Sequence, residues 1–259
     1  MVTHGDKDRR RGISPDFTGA LERALRAGKI DLAIHSTKDL SAADPAGLAI
    51  VAYPRRADPR DCLIGGGARG PRRGARVGTS SLRRRAQLTR WRPDLRLSEI
   101  RGNVDTRLRM VAEGALDVVA LAKAGIDRLG RTSEVTYILP AERFLPAPGQ
   151  GAIAVQARRN DPRARRLTRL IDHAPTRACV EAERAVAEEL GASCNVPLGA
   201  YATVRGRQLR LVAEVLSSDG TRTIRVVRVG SATRPRALGR TVARLLSAAG
   251  AQTLIRRGR

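Results

Sequence analysis

At 259 residues, 42% of them hydrophobic and 29% charged, the chain is long enough for two or three folded units with real cores. Its formal net charge of +24 comes from 49 basic residues against 25 acidic ones, so an anionic partner is expected. Aromatics at 2%, with no zinc-finger spacing, RNP-like motif or basic tail, argue against nucleic acid, and no apolar run approaches the roughly 20 residues of a membrane span.

The chain opens with arginines but no apolar segment follows them as a secretory signal requires, so a cytoplasmic protein is expected. The spacing then predicts a helix over 17–28, with Phe17, Ala20, Leu21, Ala24 and Leu25 on one side and Gly28 as its stop. Asp31–His35 and Leu48–Ala52 read as buried strands, and the prolines at 54 and 59 mark 54–60 as a crossing segment. A second unit alternates strand and helix: Ala75–Val77, Leu82–Arg90, Leu95–Ile100, Val104–Glu113, Asp117–Ala122 and a helix opening at Gly125. That alternation predicts a parallel sheet of α/β type. The last third differs, with a helix over Pro175–Leu190, a Gly/Ser/Pro loop over 191–199, a hairpin of Leu209–Leu216 and Thr223–Val229 about Ser217–Gly220, and an amphipathic helix over 235–250.

Three strand-to-helix turns carry the polar chemistry: 36–39 (Ser-Thr-Lys-Asp), 79–84 (Thr-Ser-Ser-Leu-Arg-Arg) and 101–107 (Arg-Gly-Asn-Val-Asp-Thr-Arg). All would lie at carboxyl ends of strands, where open α/β sheets bind ligands. In the second, Ser80 or Ser81 would cap the helix while its free N–H groups and the forked Arg83 and Arg84 gather anions. Asp39 is then a lone carboxylate among cations, which keeps it ionised and suited to stabilising a cation or moving a proton. The chain has an odd three cysteines and no Cys-x-x-Cys or His-x-x-x-His spacing, so neither a disulfide framework nor a metal site is expected. Cys62 and Cys179 read as buried small hydrophobes, whereas Cys194, in the Gly/Pro loop, is a candidate nucleophile or attachment point.

His35–Asp39, Gly78–Arg84, Arg101–Asn103 with Thr106–Leu108, Leu145–Ala152 and Cys194–Tyr201 together resemble, in order and spacing, the porphobilinogen deaminase (hydroxymethylbilane synthase) family. The resemblance implies an α/β fold of two periplasmic-binding-protein-like lobes with parallel-rich sheets and a small α+β C-terminal domain. The boundaries expected are 1–54 with 152–170 for the first lobe, 58–146 for the second and 174–259 for the third domain. It implies a monomeric transferase that joins four porphobilinogen molecules head to tail, with loss of ammonia, in tetrapyrrole biosynthesis. A dipyrromethane cofactor, held through a thioether to Cys194, would carry the growing chain. Asp39 matches the catalytic aspartate. Lys38, Thr79, Ser80, Ser81, Arg83, Arg84, Arg101 and Arg107 match positions that hold the acetate and propionate groups, and Asn103 and Gln150 lie in the same motifs. No metal, nucleic acid or membrane partner is implied.

At its start the sequence departs from the family pattern. The opening strand and helix with an Arg-x-Ser-x-Leu-Ala motif is expected to be missing, since Met1–Asp6 resembles the end of the family's second strand. Gly12–Asp16 replaces a glycine-rich stretch, and Ser41 stands where a proline is usual. Two alternatives to a working deaminase stay open: an impaired or repurposed homologue, and a non-catalytic binder of anionic ligands.

Overall fold

The computed structural model describes residues 18–192 and 196–256. Helix α1 (Gly19–Arg26) follows the apolar stripe and packs Leu21 and Leu25 against Ala33 and Leu48 of the first sheet. That sheet holds β1 (Ala33–Ser36), β2 (Leu48–Ala52) and β8 (Ile153–Arg158), with β8 in the middle and antiparallel to both neighbours. The family resemblance implies a parallel-rich sheet here. The two early strands do run in the same direction, but a strand from 100 residues downstream, running oppositely, lies between them, so every described pair in this sheet is antiparallel.

Residues 54–60 cross without regular structure into a five-stranded sheet of order β5-β4-β6-β3-β7. Its strands are β3 (Asp61–Gly65), β4 (Arg76–Gly78), β5 (Arg96–Ser98), β6 (Val118–Ala122) and β7 (Val135–Ile138). The β4 strand pairs in parallel with β5 and β6, while β3 is antiparallel to β6 and β7. Successive strand residues face opposite ways, so β6 sends Val118 and Ala120 toward Leu88 of α2 (Leu82–Trp91) and Val119 and Leu121 toward Leu108 of α3 (Val104–Ala112). This is why β6 reads as an unbroken apolar run: helices cover both faces. The short α4 (Lys123–Arg128) follows β6 directly.

After β8 comes α5 (Pro162–Thr168), then the long α6 (Ala174–Glu189). An antiparallel meander follows, β9 (Leu198–Arg205), β10 (Gln208–Leu216) and β11 (Thr223–Ser231), then α7 (Pro235–Ala248) and α8 (Ala251–Arg256). Leu209, Leu211, Ala213 and Val215 alternate along β10 to meet Ala182 and Val186 of α6 and Val242 and Leu246 of α7 in the largest described core. The two helices meet at Gly239, where a Cβ would stand 2.3 Å from the Ala182 carbonyl oxygen.

Candidate active site

The turn after β1 is a single 3₁₀ turn, Thr37–Asp39, tied down by Thr37 N donating to Ala152 O at 3.0 Å. Thr37 is buried against Gly149, which has a φ of +73° and whose added Cβ would lie 2.6 Å from Thr37 Cγ2. Lys38 is half-buried and Asp39 exposed, and among the described residues neither forms an ion pair. Burial first, and then repulsion by Arg84, lower the Lys38 ammonium to about 8 against the pull of Asp39 and Asp61.

Helix α2 begins as its sequence predicts. Ser81 Oγ accepts from Arg84 N at 3.4 Å, and Thr79, fully buried, accepts from Ser81 N at 3.3 Å. The arginines it launches do not point to solvent. Arg83 Nη1 donates to Asp61 Oδ2 at 2.7 Å and Arg84 Nε to Asp61 Oδ1 at 2.9 Å, all three residues being buried. Burial alone would push Asp61 upward, but the two guanidiniums and their hydrogen bonds prevail and hold its carboxyl well below the usual carboxylate range. One carboxylate against two guanidiniums leaves a net positive charge at this point. Gln150 closes the group, its Nε2 donating to Asp61 Oδ1 at 2.9 Å and to Pro59 O at 2.6 Å.

The third turn is built by Asn103, whose Oδ1 caps α3 by accepting from Thr106 N at 2.9 Å. Arg107 folds back, donating through Nε to Gly102 O at 3.0 Å and through Nη2 to Ser80 Oγ at 3.4 Å, and so joins the second and third turns.

These pieces converge on one cavity of about 340 Å³ between the first lobe, the second lobe and the third domain. Of the residues singled out from sequence, Lys38, Asp39, Ser80, Ser81, Arg83, Arg84, Arg107 and Gln150 line it. Thr79, Arg101 and Asn103 do not: Thr79 and Asn103 shape the backbone behind it, and Arg101 is exposed outside it. Cys194 lies outside the described residues, although Ala192 and Val196 on either side of it line the cavity. Cys62 and Cys179 are buried, and burial pushes both thiols up to about 12, which makes them poor nucleophiles.

Three contributors are absent from the sequence expectations. Asp61 anchors the arginine pair as described. Arg184 of α6 also lines the cavity and holds the segment after Asp39, donating to Ser41 O at 3.1 Å, Ala42 O at 3.0 Å and Asp44 Oδ1 at 2.9 Å. Its neighbour Glu183, fully buried, accepts from Arg56 Nη1 at 2.7 Å, Arg56 Nη2 at 3.0 Å, Gly149 N at 2.8 Å and Ala202 N at 2.8 Å, tying the crossing segment to the third domain. The signal for both is the charged pair Glu183-Arg184 set between Ala182 and Ala185 in the apolar stripe of α6. Asp61 gives a weaker one, an acid opening a buried strand just after a proline.

Residues 1–166 match the family description "Porphobilinogen deaminase, dipyromethane cofactor binding domain", and residues 177–248 match "Porphobilinogen deaminase, C-terminal domain". The porphobilinogen deaminase of Desulforudis audaxviator is 47% identical over 249 residues, covering 94% of this chain and 80% of the relative. That of Roseiflexus castenholzii is 46% identical over 242 residues, covering 92% of this chain and 80% of the relative. Among solved structures, an ABC transporter from Parabacteroides distasonis shares 14% identity at a TM-score of 0.41 over 59% of this chain and 56% of that one, an overlap too partial to bear on function. With both family regions matched in order, and relatives near half identity along more than nine-tenths of its length, the chain belongs to the porphobilinogen deaminase family.

Proposed function

We propose that the cavity between the three domains is where porphobilinogen is condensed, with Asp39 as its catalytic group. As a member of its family the chain is a transferase, a hydroxymethylbilane synthase that joins porphobilinogen units into hydroxymethylbilane in tetrapyrrole biosynthesis. The observation that carries the site assignment is the charge of the wall. Lys38, Arg83, Arg84, Arg107 and Arg184 face the cavity among the described residues, and Asp39 is the one carboxylate that does.

The residues present fit a dipyrromethane. Its pyrroles bring carboxylates and ring N–H groups, and the cavity wall holds buried polar atoms without a partner that match both. Arg83 Nε is an unused donor, Gln150 Oε1 an unused acceptor, and Thr37 Oγ1 serves either way. Bound there through Cys194, a dipyrromethane supplies the primer on which the product is built. Lys38, Arg83, Arg84 and Arg107 would hold carboxylates, and Ser80 and Ser81 would support them at the mouth of α2. Thr79 and Asn103 keep the turns in shape, and Arg101, exposed two residues before the Asn103 cap, would meet the chain as it lengthens.

Loss of ammonia from the aminomethyl ammonium of porphobilinogen leaves an azafulvenium cation. The Asp39 carboxylate, which forms no ion pair among the described residues, would stabilise that positive charge and then receive the proton released on coupling. Lys38, next in sequence, holds the substrate's carboxylates and so fixes where the ring lies relative to Asp39. The domains implied by this reading are 1–54 with 152–170, 58–146 and 174–259. The same reading takes the protein to be a cytoplasmic monomer.

The test is porphobilinogen turnover by the wild type and by Asp39→Asn, with porphobilinogen affinity measured on both. The reading expects kcat to fall by about a hundredfold or more in the variant with affinity little changed. An Asp39→Asn chain that turns over at the wild-type rate rejects Asp39 as the catalytic group. A wild type that binds porphobilinogen without turnover favours a binding protein instead.

A further inference from the structure

Behind the cavity wall runs a buried polar chain that the functional reading does not use. Arg83 Nη1 donates to Gln87 Oε1 at 2.9 Å, one helical turn along α2. Gln87 Nε2 in turn donates to Glu214 Oε1 at 2.8 Å and to Leu145 O at 3.0 Å. Gln87 and Glu214 are 1% and 0% exposed. The orientation of the Gln87 amide is settled by its neighbours, since the guanidinium can only donate and the carboxylate and carbonyl can only accept. Glu214 lies on β10, in the C-terminal domain, and also receives Arg90 Nη1 at 3.4 Å. Arg83, at the cavity, is therefore connected through one glutamine to the domain that bears Cys194.

The arrangement is fully satisfied at Gln87, which distinguishes it from ordinary helix-surface contacts. A buried amide with both ends used has one low-energy position, and a change at either end leaves a buried group without its partner. Arg83 has Asp61 and Leu145 O as its other anchors, the latter at 2.8 Å. Gln87 Oε1 accepts from the same Nη1, so three acceptors gather at this end of the side chain. Gln87 is itself bonded to Glu214 of the C-terminal domain, and so ties the position of Nη1 to that domain.

We infer that Gln87 is a positioning residue for Arg83, and that through Glu214 it makes the aim of Arg83 depend on the C-terminal domain being seated against the second lobe. The inference rests on the reading of the cavity as a porphobilinogen site. It adds that the domain carrying the cofactor cysteine also sets the geometry of the carboxylate-binding wall.

The experiment is a double-variant cycle on the full chain, using Gln87→Met, Glu214→Leu and both together, with Glu214→Gln as the conservative variant. Porphobilinogen KM and kcat and, separately, porphobilinogen Kd by calorimetry are read. Gln87→Met and Glu214→Leu should each raise KM and Kd about tenfold with kcat within about twofold, while the double variant is no worse than either single one. Glu214→Gln keeps an acceptor for Gln87 Nε2 and should stay within about twofold of the wild type. An unchanged Kd in Gln87→Met, or a double variant whose losses multiply, overturns the relay. Should Gln87→Met not fold, equal Kd values for Glu214→Gln and Glu214→Leu overturn it alone. A wild type that binds without turnover rejects the condensation reading, and the Kd values still decide the relay.

Discussion

The Asp61 carboxylate stands between Arg83 and Arg84, 2.7 Å from the first guanidinium and 2.8 Å from the second, and so turns two buried like charges into a usable pair. Without it, two buried guanidiniums would lose the one carboxylate that both are bonded to, beside Lys38. Replacing Asp61 by Asn should therefore destabilise the fold at neutral pH by about 3–5 kcal/mol, the usual cost of leaving a buried charge unpaired. The sign with pH follows from the depressed carboxyl: its contribution is complete above the ordinary aspartate pKa of about 3.9 and is lost as pH falls below that. Urea unfolding from pH 3 to 7 should show that acid limb in the wild type and a shallower one in Asp61→Asn.

Lys38 is the group on this wall that titrates near working pH. With its pKa lowered from 10.5 to about 8, the folded chain releases a proton that the unfolded chain keeps between those values, so stability should rise with pH across that window. Carboxylate binding runs the opposite way, because it needs the ammonium. Porphobilinogen KM should climb as pH passes about 8 in the wild type and stay flat there in Lys38→Arg, which remains charged. An equal climb in both would remove Lys38 from carboxylate binding.

Arg184 holds the backbone that follows Asp39, through Ser41 O, Ala42 O and the Asp44 carboxylate. Arg184→Met should free that segment and displace Asp39, lowering kcat about tenfold or more with a smaller change in KM. All three acceptors gather at Nη2, so Arg184→Lys, whose ammonium also carries three donors on one nitrogen, should restore part of the lost kcat. Steady-state kinetics on both variants decides this.

Gly149 combines a left-handed backbone with direct contact to Thr37, so Gly149→Ala meets both conformational strain and a clash 2.6 Å from Thr37 Cγ2. A loss of about 1–3 kcal/mol is expected from the backbone alone. A denaturant midpoint equal to the wild type would show that the turn tolerates a side chain.

The legible parts of the fold were those with a period. Helices α2, α3, α6 and α7 fall within a residue or two of the spans their apolar spacing predicts, and Ser81 and Asn103 cap where cap residues should. Strands β3, β8 and β9 were hidden for physical reasons. Asp61 opens β3 with a charge that only a distant arginine pair can satisfy, β8 takes its register from strands 100 residues earlier, and β9 begins inside what reads as a Gly/Pro loop. The same applies to the site. Turn motifs point to the cavity because the chemistry lies on contiguous residues, whereas Asp61, Arg184, Gln87 and Glu214 matter through partners far along the chain. Arg83 and Arg84 read as open anion forks, yet both spend part of their hydrogen-bonding capacity on Asp61.

The most direct measurement is the intact mass of the purified chain beside its Cys194→Ser variant. The account predicts a dipyrromethane-sized addition on the wild type that is absent from the variant, because the described cavity holds the donors such a group needs and residues on either side of Cys194 line it. A wild type at its unmodified mass, or a variant that carries the same addition, would contradict it.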